Sequence, residues 1–323
     1  MNSIHVGISG WTYPPWRAVF FPKGWPQKRE LEYASRRVNS IEINGTFYSL
    51  QRPESFTAWH DATPRGFMFS VKGGRFITHL KRLQDVEVPL ANFFASGILN
   101  LREKLGPILW QLPPSFRYDH ARLAEFFALL PRDTREAAKL ARKHDAKVSD
   151  RAEFKVDRVR PLRHALEVRH KTFETPAFVD LLREHRIALV VADTAGKWPL
   201  MEDVTSDFIY LRLHGDEDLY VSGYTEAALQ EWARKIRAWS RGHTPTRTKR
   251  VGPAARRTSS GRDVFVYFDN DVKVRAPLDA MSLAHRLKLG PAPKPSTNFS
   301  ETRETARESS PEIQRQWYSA TSE

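Results

Sequence analysis

No cysteine occurs among the 323 residues. That removes disulfides, thiolate metal sites and cysteine nucleophiles. No apolar run reaches the ~18 residues that cross a bilayer, so no membrane partner is expected. The opening residues, Met1-Asn2-Ser3-Ile4-His5-Val6, go straight into a strand pattern with neither a basic leader nor a cleavage site. A cytoplasmic address is the expectation. No Gly-x-Gly-x-x-Gly follows that first strand, which argues against a dinucleotide-binding fold. Acids are scarce relative to bases, 38 against 51, so the formal net charge is +13.

What is present suits a globular chain, with 41% hydrophobic residues and enough length for a large core. The basic excess favours polyanions such as nucleic acid, or a small phosphorylated substrate. Its densest piece is residues 241–262, where Arg247, Lys249, Arg250, Arg256 and Arg257 sit among Pro, Gly, Ser and Thr. That composition predicts a mobile basic loop.

Strand and helix patterns alternate. Strands are expected at residues 4–9, 38–44, 66–72, 108–112, 162–170, 188–193, 208–214 and 263–269. Residues 28–37 and 53–59 read as helices, the second opened by Pro53. Leu90, Phe93, Phe94, Gly97, Ile98, Leu101 and Leu105 keep the spacing of one amphipathic helix. Asp119, Thr175 and Thr225 are placed to cap three more, and Pro277 opens the last. Residues 131–161 read as a helical insertion before the fifth strand, and residues 194–207 as an irregular crossover. Past Gly290 the chain turns to Pro, Ser, Thr and Glu, so residues 290–323 are expected to form a disordered tail. Eight strand–helix units over residues 1–289 predict a TIM-type (β/α)8 barrel of the α/β class.

Barrel strands are usually apolar on both faces. Here one parity carries polar groups. In residues 162–170, Leu162, His164, Leu166 and Val168 share one side, and Arg163, Ala165, Glu167 and Arg169 the other. Glu42 and Asn44 lie between or beside Ile41 and Ile43. Lys72 opposes Val71, Gln111 opposes Trp110, and Asp193 opposes Val190 and Ala192. Arg212 and His214 oppose Leu211 and Leu213, and Tyr267 and Asp269 oppose Val266 and Phe268. The polar parity is expected to line the interior at the strand carboxyl ends, where barrel enzymes hold their active sites. The candidates for chemistry are therefore Glu42, Glu167, Asp193, His214 and Asp269. Those for substrate binding are Trp11, Asn44, Lys72, Gln111, Arg169, Arg212 and Tyr267. Trp11 comes from an aromatic loop with Tyr13 and Trp16 that either stacks on a sugar or base or packs as a lid. Arginine and lysine beside acids suit an anionic substrate, with one acid left as a base. Glu167, Asp193 and His214 together could also hold a divalent metal, with His79 and His170 as alternative ligands. Neighbouring guanidiniums repel a cation, so no cofactor is assigned.

Several strings resemble one family. They are Gly7-Ile8-Ser9-Gly10-Trp11, Glu42-Ile43-Asn44-Gly45-Thr46-Phe47-Tyr48, Ile77-Thr78-His79, Gln111-Leu112-Pro113-Pro114-Ser115-Phe116, Glu167-Val168-Arg169-His170, Arg212-Leu213-His214-Gly215 and Tyr267-Phe268-Asp269-Asn270-Asp271. In that order they resemble the YecE-like family, domain of unknown function 72. The resemblance implies a TIM-type barrel and supplies no activity. Its barrel is similar in shape to the xylose-isomerase and endonuclease IV group, an analogy of fold alone. Three functional classes follow. The first is a hydrolase, lyase or isomerase of an anionic substrate, with Glu167 or Glu42 as base, His214 as proton carrier and Lys72, Arg169 and Arg212 as anion clamp. The second is a non-catalytic nucleic-acid binder. The third is a metal-dependent endonuclease IV-like phosphodiesterase.

Overall fold

The computed structural model describes residues 3–216, 219–270 and 274–290. Eight parallel strands close in sequence order into a barrel: β1 (Ile4–Ser9), β2 (Ser40–Ile43), β3 (Met68–Lys72), β4 (Leu105–Gln111), β5 (His164–Glu167), β6 (Ala188–Asp193), β7 (Phe208–Leu213) and β8 (Asp263–Phe268). Helices fill every crossover except β6 to β7, which is irregular as its short, broken pattern implies. The fold is the expected TIM-type (β/α)8 barrel. Among the described residues no helix is long and apolar enough to cross a membrane. The tail expected at residues 290–323 lies, beyond Gly290, outside the described residues.

Local signals set the helix starts. Asp119 Oδ1 accepts from Arg122 N at 3.1 Å and Thr225 Oγ1 from Ala228 N at 3.2 Å, so both cap as read. Thr175 opens Pro176–Glu184 without a side-chain capping bond, and there the proline in the first turn suffices. Of residues 131–161 only Thr134–Ala141 is helical, capped by Asp133, and the remainder is irregular.

Two expectations need correction. The amphipathic stretch from Leu90 to Leu105 is not one helix: Glu87–Ala95 ends before Gly97, and a 3-10 segment, Ile98–Lys104, runs into β4. Gly97 has φ +97, and a Cβ there would stand 2.5 Å from Pro53 Cα. The chain is turned so that the start of helix Pro53–Ala62 can pack against it. The basic loop of residues 241–262 is pinned, not free. Buried Glu202 accepts from Lys249 N at 2.7 Å, and Asp203 accepts from Val251 N and Gly252 N at 2.9 Å each. Lys235 Nζ neutralises Glu202 at 2.7 Å.

The interior is graded along the barrel axis. Near the amino end it is apolar, with Leu109, Ala165, Ala188, Val190, Phe208 and Phe265 in contact. Above them comes a hydroxyl layer, where Tyr267 meets Ser40 and Tyr210 meets Ser70, each at 2.7 Å. Charged groups crown the carboxyl end.

Gly97→Ala should lower the unfolding free energy by about 2–4 kcal/mol, strain and overpacking together. Gly66→Ala, at φ +80 but with open space around it, should cost about 1 kcal/mol. Equal shifts of the urea midpoint in the two variants would remove the Pro53 contact as the reason for the break.

Candidate functional site

Parallel register fixes which side chains share the interior. Ser9 pairs with Glu42, Gln111 with Glu167, Ala192 with Arg212 and Arg212 with Tyr267. Registered neighbours point the same way, so these residues crown one cavity end. Glu42, Glu167, Arg212 and His214 are all fully buried there.

Arg212 is the hub. Its Nε and Nη2 donate to Glu42 Oε2 and Oε1 at 3.2 and 2.9 Å, and its Nη1 to Glu167 Oε2 at 2.8 Å. Nη2 also donates to Asp269 Oδ2 at 2.6 Å, and Nη1 faces His214 Nε2 at 3.5 Å. All five donors of the guanidinium are committed. Glu42 and Glu167 are equally occupied, whereas Asp269 is 16% exposed and engages Arg212 through Oδ2. Glu42 also accepts from Ser9 Oγ at 2.9 Å and Tyr210 OH at 2.6 Å. Glu167 Oε1 accepts from Gln111 Nε2 at 2.9 Å and Arg169 Nε at 2.8 Å.

This saturation corrects three assigned roles. Burial alone would raise the Glu167 pKa, yet the Arg169 and Arg212 guanidiniums hold it well below the usual carboxylate range. A carboxylate so held is a poor proton acceptor, and Glu42, with four donors on two oxygens, has no free lone pair aimed outward. Neither is a general base. Arg212 cannot clamp a substrate, because its donors are spent inside the protein. His214 cannot carry protons to solvent: it is enclosed under Tyr220, whose ring meets it edge-on at 5.2 Å. Burial and Arg212 lower its pKa, and Nδ1 lies 3.2 Å from Asp269 Oδ2.

Asp193 is a correction of position. It pairs with Leu213, the outward parity, and its Oδ2 accepts from Tyr224 OH at 3.1 Å. The inner face of β6 is instead Ala188, Val190 and Ala192. Small residues are needed there because Tyr210 and Arg212 of neighbouring β7 fill the interior. With Asp193 outside, the Glu167–Asp193–His214 ligand set is not formed. Among the described residues no three His, Asp or Glu side chains are grouped to hold a metal ion. Arg212 occupies the position among the acids where a cation would sit.

The rim is different. Lys72 ends β3 and is 8% exposed. Its Nζ lies over the Phe47 ring at 4.3 Å and has no hydrogen-bond or ion-pair partner among the described residues. Burial, reinforced by Arg212, lowers its pKa to about 8. Arg169 stacks on Trp198 at 3.9 Å and reaches Tyr220 OH at 3.4 Å. Asp269, with burial opposed by Arg212 and His214, falls to about 2. Asn44, just past β2, has a buried Oδ1 with no partner among the described residues. Trp11 packs edge-on against Trp59 at 5.3 Å, Tyr13 OH donates to Ser9 O, and Trp16 is buried. The aromatic loop is a packed lid.

Sequence reading missed Trp198 and Tyr220, and it left His79 only as a metal ligand. His79 Nδ1 sits 2.9 Å from Thr78 Oγ1, and burial together with Lys72, Arg169 and Arg75 lowers its pKa to about 4. The available signal was position: each lies in a loop just after a strand's carboxyl end.

The family described as "Protein of unknown function DUF72" matches residues 5–301. The chain belongs to the DUF72 family. It is 28% identical over 113 residues to the UPF0759 protein YecE of Escherichia coli (strain K12), a stretch covering 35% of this chain and 39% of YecE. It is 27% identical over 118 residues to the UPF0759 protein YunF of Bacillus subtilis (strain 168), covering 35% of this chain and 41% of YunF. The matched stretches thus span about two fifths of these curated relatives. A DUF72 family protein from Thermotoga maritima MSB8 superposes with TM-score 0.66 at 22% identity, covering 89% of this chain and 100% of that one. One from Enterococcus faecalis V583 gives 0.62 at 16% identity, covering 90% and 98%. These likenesses show the fold. The YecE-like motifs are thereby those of a DUF72 barrel, and its chemistry has to be argued from the groups at the rim.

In this DUF72 barrel Arg212→Met strands Glu42 in the interior, leaves Glu167 with Arg169 alone, and frees Asp269 at the rim. It should cost about 3–5 kcal/mol near neutral pH, and the deficit in Tm should narrow from about pH 7 to about pH 5 as those acids take up protons. A deficit independent of pH would mean that Arg212 acts through packing alone. Asp269 contributes in the opposite window. Its folded pKa lies below the unfolded value of about 3.9, so its stabilisation is present above that value and lost as pH falls through about 2. Asp269→Asn should flatten this acid limb, of order 2 kcal/mol, in calorimetry.

Proposed function

We propose that this DUF72 barrel is an enzyme acting on a small phosphorylated or carboxylated substrate at the carboxyl end of its strands. The observation that carries the reading is an imbalance of partners. Glu42 and Glu167 are spent on Arg212 and Arg169 and Asp269 Oδ2 on Arg212, while Lys72 has no such partner among the described residues. Lys72, Arg169 and Arg75 all act on the single imidazole of His79. Arg169 commits Nε to Glu167 and leaves Nη1 without a partner among the described residues. Three cations around one neutral ring, with Glu167 as the acid acting on it, leave an excess of positive charge that an anion would neutralise. Asn44 Oδ1 adds an acceptor whose desolvation, about 1–3 kcal/mol, a substrate hydroxyl would relieve. Trp198 supplies an apolar wall behind Arg169.

The roles follow from protonation. Lys72 and Arg169 hold the anion. His79 is neutral at physiological pH and, at a pKa of about 4, a weak acceptor in the empty site. A bound anion would offset the charges of Lys72, Arg169 and Arg75 and raise its basicity, so that it can accept a proton from the substrate. Glu42, Glu167, Arg212 and His214 form the fixed platform beneath. A hydrolase, lyase or isomerase needs that combination of anion binding and one mobile proton.

The test is thermal denaturation with inorganic phosphate, pyrophosphate, 3-phosphoglycerate and oligothymidylate. At least one small anion at saturation should raise Tm by about 2–4 °C, and Lys72→Met should weaken that ligand about tenfold or more. Stabilisation by oligothymidylate alone, or a Lys72→Met variant that binds as tightly as wild type, would overturn the reading.

A further inference from the structure

We propose that Lys72 is a nucleophile, and that its amine forms an imine with the aldehyde or ketone of a small carboxylated or phosphorylated substrate. This rests on the anion-binding reading of the barrel mouth and adds the covalent step. Three features of the site point to it.

The first is partnering. An ammonium paired to a carboxylate keeps its proton and its lone pair is unavailable. Arg212 and Arg169 are so paired; among the described residues Lys72 Nζ meets the face of Phe47 and no hydrogen-bond or ion-pair partner. The charged groups facing it are Arg212 on β7, Glu42 on β2, Glu167 on β5 and Asp269 past β8, with His79 in the turn after β3. Those acids are already bonded to guanidiniums, so they attract the ammonium weakly, while Arg212 repels it. With burial, the result is a pKa of about 8. About one tenth of the amine is then free at pH 7, against less than about one thousandth for an ordinary lysine.

The second is placement. Lys72 stands at the end of a barrel strand, and Thr46 Oγ1 donates to its carbonyl at 2.7 Å and to Ile43 O at 3.0 Å. A nucleophile must be held in a near-attack position, and this backbone is tied to the neighbouring strand. The third is the proton carrier. His79 is neutral and close enough for the Lys72 charge to depress it. Once Lys72 has lost that charge in the neutral carbinolamine, the ring regains basicity and can move protons during dehydration.

The step balances without any oxidant or reductant. Nζ attacks the carbonyl carbon, a C–N bond forms and the C=O π pair moves to oxygen, which takes a proton. Loss of that oxygen as water, with transfer of the second amine proton, leaves the C=N bond. The protonated imine withdraws electrons from the adjacent carbon, which suits a lyase or isomerase.

The probe is glyoxylate, the smallest anionic aldehyde, with sodium cyanoborohydride to reduce any imine and peptide mass mapping to locate it. Glycolaldehyde, similar in size and uncharged, is the comparison. Lys72 should label about tenfold or more faster at pH 7 than the exposed Lys23 and Lys197. Glyoxylate should outpace glycolaldehyde at Lys72 only, and the Lys72 rate should climb with an inflection near pH 8. Lys72→Arg keeps the positive charge, so it should retain phosphate stabilisation while losing the label at that position. Labelling of Lys72 no faster than that of the exposed lysines overturns the proposal. If phosphate still raises Tm in that case, the imine alone fails; if it does not, the anion site fails with it.

Discussion

A single guanidinium ties four strands together at the top of this barrel. Arg212 on β7 bonds Glu42 from β2, Glu167 from β5 and Asp269 from the end of β8. An isolated ion in that position would cost several kcal/mol to desolvate. The acids offset that cost only because four of the five donors find carboxylate oxygens at 2.6–3.2 Å, the fifth facing His214 Nε2 at 3.5 Å. The arrangement is therefore all or nothing: removal of the hub leaves the buried Glu42 and Glu167 and the partly exposed Asp269 without their cation, and removal of one acid leaves a donor unsatisfied. The hydroxyl layer beneath carries the same logic downward, since Tyr210 bridges Glu42 and Ser70. Polarity thus declines in steps from ions to hydroxyls to aliphatic and aromatic carbon.

Saturation at the centre decides what the rim can do. Had one acid been spare, Lys72 would pair with it and the mouth would be neutral. Because Arg212 and Arg169 engage the acids, Lys72 and Arg75 have no ion-pair partner among the described residues, and burial, reinforced by these cations, keeps His79 neutral. The buried network and the reactive-looking edge are consequences of one another. A rigid ionic platform also fixes the strand ends, so the groups at the rim are positioned by the most constrained part of the protein.

Much of this could be read from side-chain alternation. The strand ends, the closed barrel and the convergence of Glu42, Glu167, Arg212, His214 and Asp269 follow from period-two patterning and the count of units. The failures have physical causes. Asp193 follows Ala188, Val190 and Ala192, and alternation cannot say which parity faces inward when one is aliphatic and small and the other also aliphatic. The side chains of β7 decide that, through volume. Gly97 sits in a helical pattern, and only the approach of Pro53 reveals a turn. The distinction between Arg212 as platform and Lys72 as open cation depends on Ser9 and Tyr210 reaching Glu42 from other strands. No single-strand pattern contains that information.

The identity of the unpaired group matters more than its charge. An arginine at position 72 would bind an anion at least as well, through a bidentate fork, and would remain protonated at any accessible pH. A lysine gives up that geometry and offers a pKa that burial and a neighbouring guanidinium can move into the neutral range, as they do here. The loop cation Arg75 and the stacked Arg169 are arginines, while the cation fixed at a strand end is a lysine. A mouth built only to hold an anion has no need of that difference; one that must alternate between a charged and a free amine does.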